Sequence, residues 1–201
     1  MNKKRILILI SSVIVTVIVI VIIAQSYPIA LINWQLISFQ TFKKDSAAAI
    51  YYYQKALETY SKNDIAVINS SEVKQEIERA VLDKLIENVL IHQELRKRLK
   101  NNELERMVEN KIEETIKGKD IEKEVKILYD LSLDEFKERI LKPQAEQEIL
   151  ASRLLLENNL PAGGFDDWLK GAKSKAKVII LLPNFEWKDG QVMINPVVSP
   201  R

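Results

Sequence analysis

Residues 71–95 read SEVKQEIERAVLDKLIENVLIHQEL, and this stretch decides the class of fold. Its apolar residues recur every three or four positions, which is the spacing of one face of an α-helix. The pattern continues for 25 residues and predicts a helix of about seven turns that begins near Ser71. The apolar stripe consists of Val73, Ile77, Val81, Leu82, Leu85, Ile86, Val89, Leu90, Ile91 and Leu95.

Helical patterns lie on both sides of this segment. Asn102, Asp120 and Ser132 are the expected N-caps of three of these helices, and Glu135 completes a capping box with Ser132. Pro143 lies inside a predicted helix, where its missing N–H group and its ring predict a kink. The helices are predicted at residues 39–62, 102–117, 120–129, 132–157 and 165–176.

Short apolar runs at the two ends of the helical region have the composition of β-strands. Residues 29–32 precede a predicted turn at Asn33-Trp34-Gln35, and residues 178–182 form a largely β-branched run that ends at Pro183. Asp189-Gly190 is a turn signal, so residues 183–201 are expected to form a C-terminal hairpin or tail. The predicted fold class is therefore mainly α, with a small β element.

The N-terminus combines a basic cluster with a long uncharged run. Lys3, Lys4 and Arg5 precede ILILISSVIVTVIVIVIIA at residues 6–24, which is 19 residues without a charge. A helix of this length spans roughly 28 Å, close to the ~30 Å hydrocarbon core of a bilayer. The run therefore predicts a transmembrane signal anchor.

The flanking charges predict the orientation of this span. Because the basic cluster precedes it, residues 1–5 are expected to be a cytoplasmic stub and residues 25–201 to be extracytoplasmic. The chain is then a single-pass protein of the cytoplasmic (inner) membrane that contacts the lipid bilayer through residues 6–24. A cleaved signal peptide is the alternative, although the run is long for one and Ile22-Ile23-Ala24 is a poor cleavage site.

The composition excludes several classes of function. The chain has no cysteine and one histidine, His92, which excludes disulfides, thiol nucleophiles, cysteine zinc sites and any mechanism that needs two imidazoles in one chain. Three of the 30 basic residues lie at positions 3–5, so the rest of the chain carries 27 bases against 28 acids. No nucleic-acid-binding surface is therefore expected.

Four stretches, taken in this order, resemble the N-terminal chaperone domain of the SurA, PpiD and PrsA group of extracytoplasmic folding factors. The resemblance covers residues 29–182 and assigns residues 25–182 to a SurA N-terminal-like helical domain. It also implies that the opening and closing strands pair with each other. The stretches are IALIN at residues 29–33 with Ile37, Ser38 and Phe42, VLDKLIENVLI at 81–91, LSLDEFK at 131–137 with Pro143, and FDDWL at 165–169 with KVII at 177–180.

The sequence departs from this group in two places. Trp34 occupies the position of the group's opening glycine, so the first turn is expected to differ in shape. Members usually carry a parvulin prolyl-isomerase domain before the closing helix, but only residues 158–164 fill that gap here, too few for a domain. The resemblance therefore implies a holdase that binds unfolded or newly exported polypeptides, without isomerase activity, catalytic residues, metal or cofactor. A structural or scaffolding protein that binds one defined envelope partner is the alternative.

Tyr51-Tyr52-Tyr53 is the candidate client-binding motif. Three successive helical residues cover about 200° of arc, so the three rings cannot all face one core. At least one ring is expected to line a groove or the surface, where a flat apolar ring with a hydroxyl suits contact with unfolded chains. The alternative is that the rings pack against the C-terminal helix or strand.

Two other polar features receive structural interpretations. His92 is expected to be a half-exposed helix histidine, because Val89 occupies the position where an E-x-x-H metal site needs a carboxylate. Glu105, Glu109 and Glu113 share one helix face and are expected to be solvated.

The remaining candidates are a basic cluster and two groups of aromatic residues. The basic cluster at residues 96–98, with Lys100, is expected to complement the negative end of the long helix. Phe165, Trp168 and Leu169 are expected in the core, and Trp34 is a candidate for the membrane interface.

Overall fold

The computed structural model of the chain describes residues 27–60 and 70–195. The predicted stub and span, residues 1–24, lie outside these ranges, as do residues 61–69 and 196–201. Within the described ranges, no helix has both the length and the apolar composition that crossing a membrane requires.

The described chain is mainly helical, as predicted, with short strands near both of its ends. In chain order the elements are β1 (Pro28–Ile32), β2 (Gln35–Ser38), α1 (Phe39–Tyr60), α2 (Ser71–Arg98), α3 (Asn101–Ile116), α4 (Glu122–Tyr129), α5 (Leu133–Phe136), a π-helical turn (Lys137–Leu141), α6 (Lys142–Leu156), α7 (Gly164–Lys175), β3 (Val178–Ile180), β4 (Phe185–Lys188) and β5 (Gln191–Ile194).

A three-stranded antiparallel sheet joins the two ends of the helical region. Its strand order is β2-β1-β3, and Ala30 lies opposite Ile180 while Ile32 lies opposite Val178. The N–H group of Leu181 donates to the carbonyl oxygen of Ile29 at 2.7 Å, just beyond β3. The pairing that the resemblance implied between these distant segments is therefore present.

Helix α2 is shared by two hydrophobic cores. At 1.5 Å per residue its 28 residues extend for about 42 Å, long enough to contact both ends of the fold. Leu82, Ile86 and Leu90 pack with the sheet and with the β4–β5 hairpin in the first core. Ile91 and Leu95 pack with α3 and α6 in the second core.

The C-terminal hairpin belongs to the first core. Asp189 and Gly190 form its two-residue turn, and both have positive φ angles, of 51° and 78°. This is the geometry that suits a tight hairpin, so the turn prediction is confirmed. Phe185 and Val192 are buried beside the residues of β1.

A buried lysine links three parts of this arrangement. Lys173 of α7 is 8% exposed, and its ammonium group contacts Asp83 at 2.7 Å and Glu87 at 2.9 Å, both on α2. Burial opposes the charged form of Lys173, but its hydrogen bonds to the two carboxylates raise its pKa overall. Asp83 also accepts a hydrogen bond from the backbone N–H group of Val192 in β5 at 3.4 Å.

Two of the three predicted N-caps were wrong. Lys100 rather than Asn102 caps α3, because the buried Leu99 fixes the chain there and the Lys100 carbonyl oxygen accepts from Leu104 at 2.9 Å. Ile121 rather than Asp120 caps α4, because Ile121 packs against a small core cluster of Ala48, Val125 and Leu131.

The third predicted cap is confirmed. Ser132 accepts a hydrogen bond from the Glu135 N–H group, and the Glu135 carboxylate accepts from the Ser132 N–H group. This is the reciprocal arrangement of a capping box.

A π-helical turn precedes Pro143, the residue at which the sequence predicts a kink. The turn lies between α5 and α6, and the Lys142 N–H group donates to the Lys137 carbonyl oxygen, five residues back. Pro143 has no N–H group that could donate to the carbonyl oxygen four residues before it. In the wider π-helical turn, a carbonyl oxygen accepts instead from the N–H group five residues later, as that of Lys137 does from Lys142.

Candidate functional site

The three tyrosines of α1 point to different surroundings. The Tyr52 ring stacks on Tyr129 of α4 with 4.9 Å between centroids, and the Tyr53 ring lies 5.9 Å from that of Tyr52. The Tyr51 ring lies beside the ammonium group of Lys55 at 5.5 Å. The expectation that at least one ring lines a groove is confirmed by Tyr52 and Tyr53. Tyr52 itself packs against α4 and not against the C-terminal helix or strand of the alternative.

Tyr52 and Tyr53 line a hollow of about 250 Å³ that we call the tyrosine groove. The two rings are 38% and 51% exposed, so much of their apolar surface remains open to a ligand. Ala48 and Ala49 precede them on α1, and these small side chains leave the space that the groove occupies. The rest of the lining comes from Val81, Leu85, Tyr129 and Ile140, with Asp45, Lys84, Asn88 and Arg139 among them.

A second hollow, of about 410 Å³, lies beside β2, and we call it the edge cleft. All four residues of β2 line it, although successive side chains of a strand point to opposite faces. The hollow must therefore lie against the lateral edge of β2. Leu85, Val89 and His92 of α2 and Pro143 of α6 also line it.

The edge of β2 that faces the cleft has no partner strand in the described part of the chain. Asn33 and Trp34 form a two-residue turn, so the flanking Ile32 and Gln35 face each other through their backbone groups. Because these groups alternate in direction along an antiparallel strand, the N–H and C=O of Leu36 point towards the cleft. The cleft therefore offers backbone hydrogen-bonding groups to an extended chain.

The two hollows meet at a shared set of residues: Asp45, Leu85, Asn88 and Arg139 line both of them. The side-chain oxygen of Asn88 is buried and accepts no hydrogen bond from the described residues. A buried acceptor without a donor is uncommon in folded proteins, so Asn88 is an unusual feature of the junction.

An ion pair between Asp45 and Arg139 stands at this junction. The two side chains are 19% and 20% exposed, and they connect α1 to the π-helical turn. Burial raises the pKa of Asp45, even though the hydrogen bond and the charge of Arg139 act in the opposite direction. The junction thus combines this ion pair with the amide of Asn88 and the apolar side chain of Leu85.

Three other hollows are less suited to apolar ligands. One of about 440 Å³ includes Glu94 and Lys97 in its lining, and one of about 710 Å³ includes Arg96. A third, of about 470 Å³, is lined by several charged side chains, among them Glu105, Glu109 and Glu113. Their linings carry more charged and amide side chains than that of the tyrosine groove. The tyrosine groove is therefore the better candidate for binding apolar side chains, and the edge cleft adjoins it.

His92 has a partner that sequence reasoning missed. Its Nδ1 lies 3.0 Å from the Oε1 atom of Glu146 on α6, and the Glu146 side chain is only 8% exposed. No local signal links residues 54 positions apart, so only the packing of α2 on α6 reveals the pair. Residues 27–60 and 70–195 contain no group of three or more His, Asp or Glu side chains that could hold a metal ion.

The charged candidates lie where the sequence predicts. Glu105, Glu109 and Glu113 are exposed on α3. Residues 96–98 occupy the last turn of α2, where Lys97 and Arg98 both pair with Glu94.

The aromatic candidates differ from one another in burial. Phe165 and Trp168 stack at 5.4 Å, and with Leu169 they are half-buried at the margin of the second core, so the core prediction holds in part. Trp34 is 87% exposed at the tip of the β1–β2 hairpin. The structure does not bring Trp34 together with the three tyrosines in one hollow.

Comparison of the chain with protein-family models, with curated proteins and with solved structures finds no match. The interpretation of the groove therefore depends on its own geometry. That geometry consists of open aromatic surface and a free strand edge, which together suit an extended polypeptide better than a compact polar ligand.

Proposed function

We propose that this protein is a membrane-anchored extracytoplasmic holdase that binds unfolded or newly exported polypeptides in the tyrosine groove and the edge cleft. The observation that carries the proposal is the continuity of the two hollows, with Tyr52 and Tyr53 at one end and the free edge of β2 at the other. Binding is reversible and involves no covalent step and no cofactor.

The geometry supports a defined binding mode. An extended client segment would place apolar side chains against Tyr53, Leu85 and Val89, while its backbone pairs with Leu36 at the edge of β2. Addition of a strand to a free sheet edge provides affinity through main-chain hydrogen bonds, which every sequence can make. This mode therefore tolerates many clients.

The size of the groove supports weak binding. Two apolar side chains buried there would contribute about 3–6 kcal/mol, and ordering of the client offsets part of this gain. A net value near 3–4 kcal/mol corresponds to dissociation constants of roughly 1–6 mM. An anchored holdase can work in this range because confinement to the membrane raises its local concentration near emerging chains.

Two sequence features support the same proposal. The apolar run at residues 6–24, preceded by basic residues, favours an anchored protein with its helical part outside the cytoplasm. The resemblance to the SurA, PpiD and PrsA group favours a chaperone role, and the observed pairing of β1 with β3 agrees with that resemblance.

Aggregation assays with the full chain in lipid nanodiscs test the function. We expect the chain to slow aggregation of at least three unrelated unfolded proteins, with empty nanodiscs as the blank. Tyr53→Ser should remove most of this effect, since Tyr53 lines the groove. Tyr51→Ser is the matched control, because Tyr51 lies outside the groove lining and its loss should change little.

The same preparation distinguishes the alternative, a scaffold for one defined envelope partner. If the protein is a scaffold, the unfolded proteins should all aggregate at the rate seen with empty nanodiscs. One partner should then co-purify with the chain from solubilised envelopes in fixed stoichiometry. That pair of results would overturn the holdase proposal.

A reporter that is active only outside the cytoplasm tests the orientation. Fused after Arg201, it should be active if residues 25–201 are extracytoplasmic. An inactive reporter on a stable, full-length fusion would contradict the proposed location.

A further inference from the structure

The outer face of the three-stranded sheet is apolar and uncovered. Leu31 of β1 lies opposite Leu36 on one side and Ile179 on the other, so the three side chains form a row on one face. Leu36 is 60% exposed and Ile179 is 56% exposed, and Leu181 beyond β3 is 55% exposed. The other face of the sheet carries Ala30, Ile32 and Ile37, which are buried in the first core.

Trp34 extends this apolar surface at the tip of the β1–β2 hairpin. Its φ angle is 74°, a conformation that favours glycine, and its side chain is 87% exposed. The turn is held in place by Asn33, which donates to Gln93 Oε1 at 3.0 Å and accepts from the Lys177 N–H group at 3.0 Å. A large aromatic residue that is both strained and solvent-exposed breaks the local sequence rules, and such violations concentrate at functional surfaces.

Basic residues surround this hairpin tip. Arg96 and Lys97 line the same hollow as Trp34, and Lys175 lines the neighbouring one with Asn33. Lys177 is exposed beside the turn. Of these four cations, only Lys97 forms an ion pair with a described residue, Glu94. Glu94 and Asp167 are the carboxylates that line these two hollows, so the surface around Trp34 has a net positive charge.

The short connection between the predicted span and β1 limits how far the sheet can lie from the membrane. The predicted span ends at residue 24 and β1 begins at Pro28, so at most about 14 Å of chain separates them. Tyr27, immediately before β1, is 41% exposed and stacks on Phe39 at 4.8 Å. Aromatic residues thus lie at both ends of β1, with the apolar row between them.

We propose that the outer face of this sheet lies flat on the bilayer surface, with Trp34 in the interfacial region and the surrounding cations near anionic lipid headgroups. Tryptophan at the interface and basic residues near anionic lipids are the typical contacts of such a surface. The proposal uses the anchored location proposed above but not client binding. It orients the domain so that the sheet faces the lipid.

Trp34 fluorescence tests the contact directly. The chain has three tryptophans, so Trp168→Phe with Trp187→Phe leaves Trp34 as the only emitter. The probe is the full chain in nanodiscs that contain about one-third anionic lipid, with or without lipids brominated on the acyl chain. We expect bromination to reduce Trp34 emission at least twofold, and we expect the emission maximum to lie at shorter wavelength than that of an exposed tryptophan.

Two matched variants separate lipid contact from other causes. A chain in which Trp187 is the only tryptophan should be quenched little, because Trp187 packs on the core side of the sheet. Leu36→Glu with Ile179→Glu changes only exposed side chains and should abolish the quenching of Trp34 while the chain stays in the disc. Replacement of the anionic lipid by a zwitterionic one should reduce the quenching about twofold.

The outcomes are distinct. A chain that is retained in nanodiscs but has an unquenched Trp34 overturns this proposal and leaves the anchored holdase standing. Trp34 emission that is blue-shifted but not quenched, and only when a disc holds several chains, indicates contact between copies of the chain. That result also overturns the proposal. A chain that does not associate with nanodiscs contradicts the anchored location itself.

Discussion

Asp45 of α1 forms an ion pair with Arg139 of the π-helical turn, and this pair stands where the tyrosine groove meets the edge cleft. Leu85 and Asn88 of α2 line the same junction. The strength of the pair therefore affects both the stability of the fold and the width of the junction through which a client would pass.

Arg139→Gln should lower the free energy of unfolding by about 2 kcal/mol at pH 7, because it leaves a largely buried carboxylate without its cation. Burial already raises the pKa of Asp45, and loss of Arg139 should raise it further. The folded state then binds a proton more tightly than the unfolded state, whose Asp pKa is about 3.9. The loss should therefore shrink as the pH falls from 7 towards about 4.

Urea unfolding at several pH values measures this effect. Lys142→Gln is the matched control, since Lys142 pairs with Glu138 on the surface and its loss should change stability by less than about 0.5 kcal/mol. If the loss of stability caused by Arg139→Gln grows as the pH falls, the role assigned to Asp45 is contradicted.

Lys173→Met should destabilise the fold by about 3 kcal/mol at pH 8, because Asp83 and Glu87 would remain partly buried without their shared cation. The pKa of Lys173 is raised in the folded state, so its contribution is fully present below its unfolded pKa of about 10.4 and is lost as the pH rises through the folded value. The difference between variant and wild type should therefore narrow above about pH 10.5.

Chemical unfolding at pH 8 and pH 11 measures that difference, with the exposed Lys170→Met on the same helix as the control. Equal losses of stability at the two pH values would show that Lys173 acts through packing alone.

Trp34→Gly should stabilise the protein by about 0.5–1 kcal/mol. A non-glycine residue at positive φ costs about 1–2 kcal/mol, and the greater freedom of glycine in the unfolded chain offsets part of the gain. Trp34→Ala keeps the Cβ atom and should bring no comparable gain. Thermal or urea unfolding measures the stability of the two variants. Equal free energies of unfolding for Trp34→Gly and Trp34→Ala would mean that the turn is not strained.

Strand addition at β2 predicts a directional effect of client backbone methylation. A seven-residue peptide of alternating Val and Lys has one apolar face, which fixes its orientation in the edge cleft. N-methylation of the residues whose N–H groups face β2 should weaken binding about tenfold or more, since each lost hydrogen bond contributes about 0.5–1.5 kcal/mol and the methyl groups clash.

Fluorescence anisotropy with labelled peptides measures these affinities. Methylation of the other alternate set is the control and should leave the affinity within about twofold. If both sets bind equally, the client does not pair with the edge of β2.

The sequence predicts the helical elements well where the signal is local. The three- and four-residue spacing at residues 71–95 identifies α2, and Ser132 with Glu135 identifies a capping box, because both patterns depend on neighbours within one or two turns. The N-caps expected at Asn102 and Asp120 fail because the buried Leu99 and the partly buried Ile121 decide where those helices begin.

The candidate site is less predictable from sequence. The tyrosine motif indicates that a ring must be open, but not that Tyr52 stacks on Tyr129 or that two alanines leave a groove beside it. The pair of His92 with Glu146 and the contacts of Lys173 join distant parts of the chain. Such pairs depend on how the helices pack, which no local spacing encodes.

Site-specific photo-crosslinking from the groove tests the holdase account most directly. A benzophenone amino acid is placed at position 53 or, as the control, at position 51 of the full chain in nanodiscs, with several proteins offered in unfolded and native forms. The account predicts crosslinks from position 53 to the unfolded form of each protein and few from position 51. Equal crosslinking from both positions, or crosslinks to a single native protein only, would contradict it.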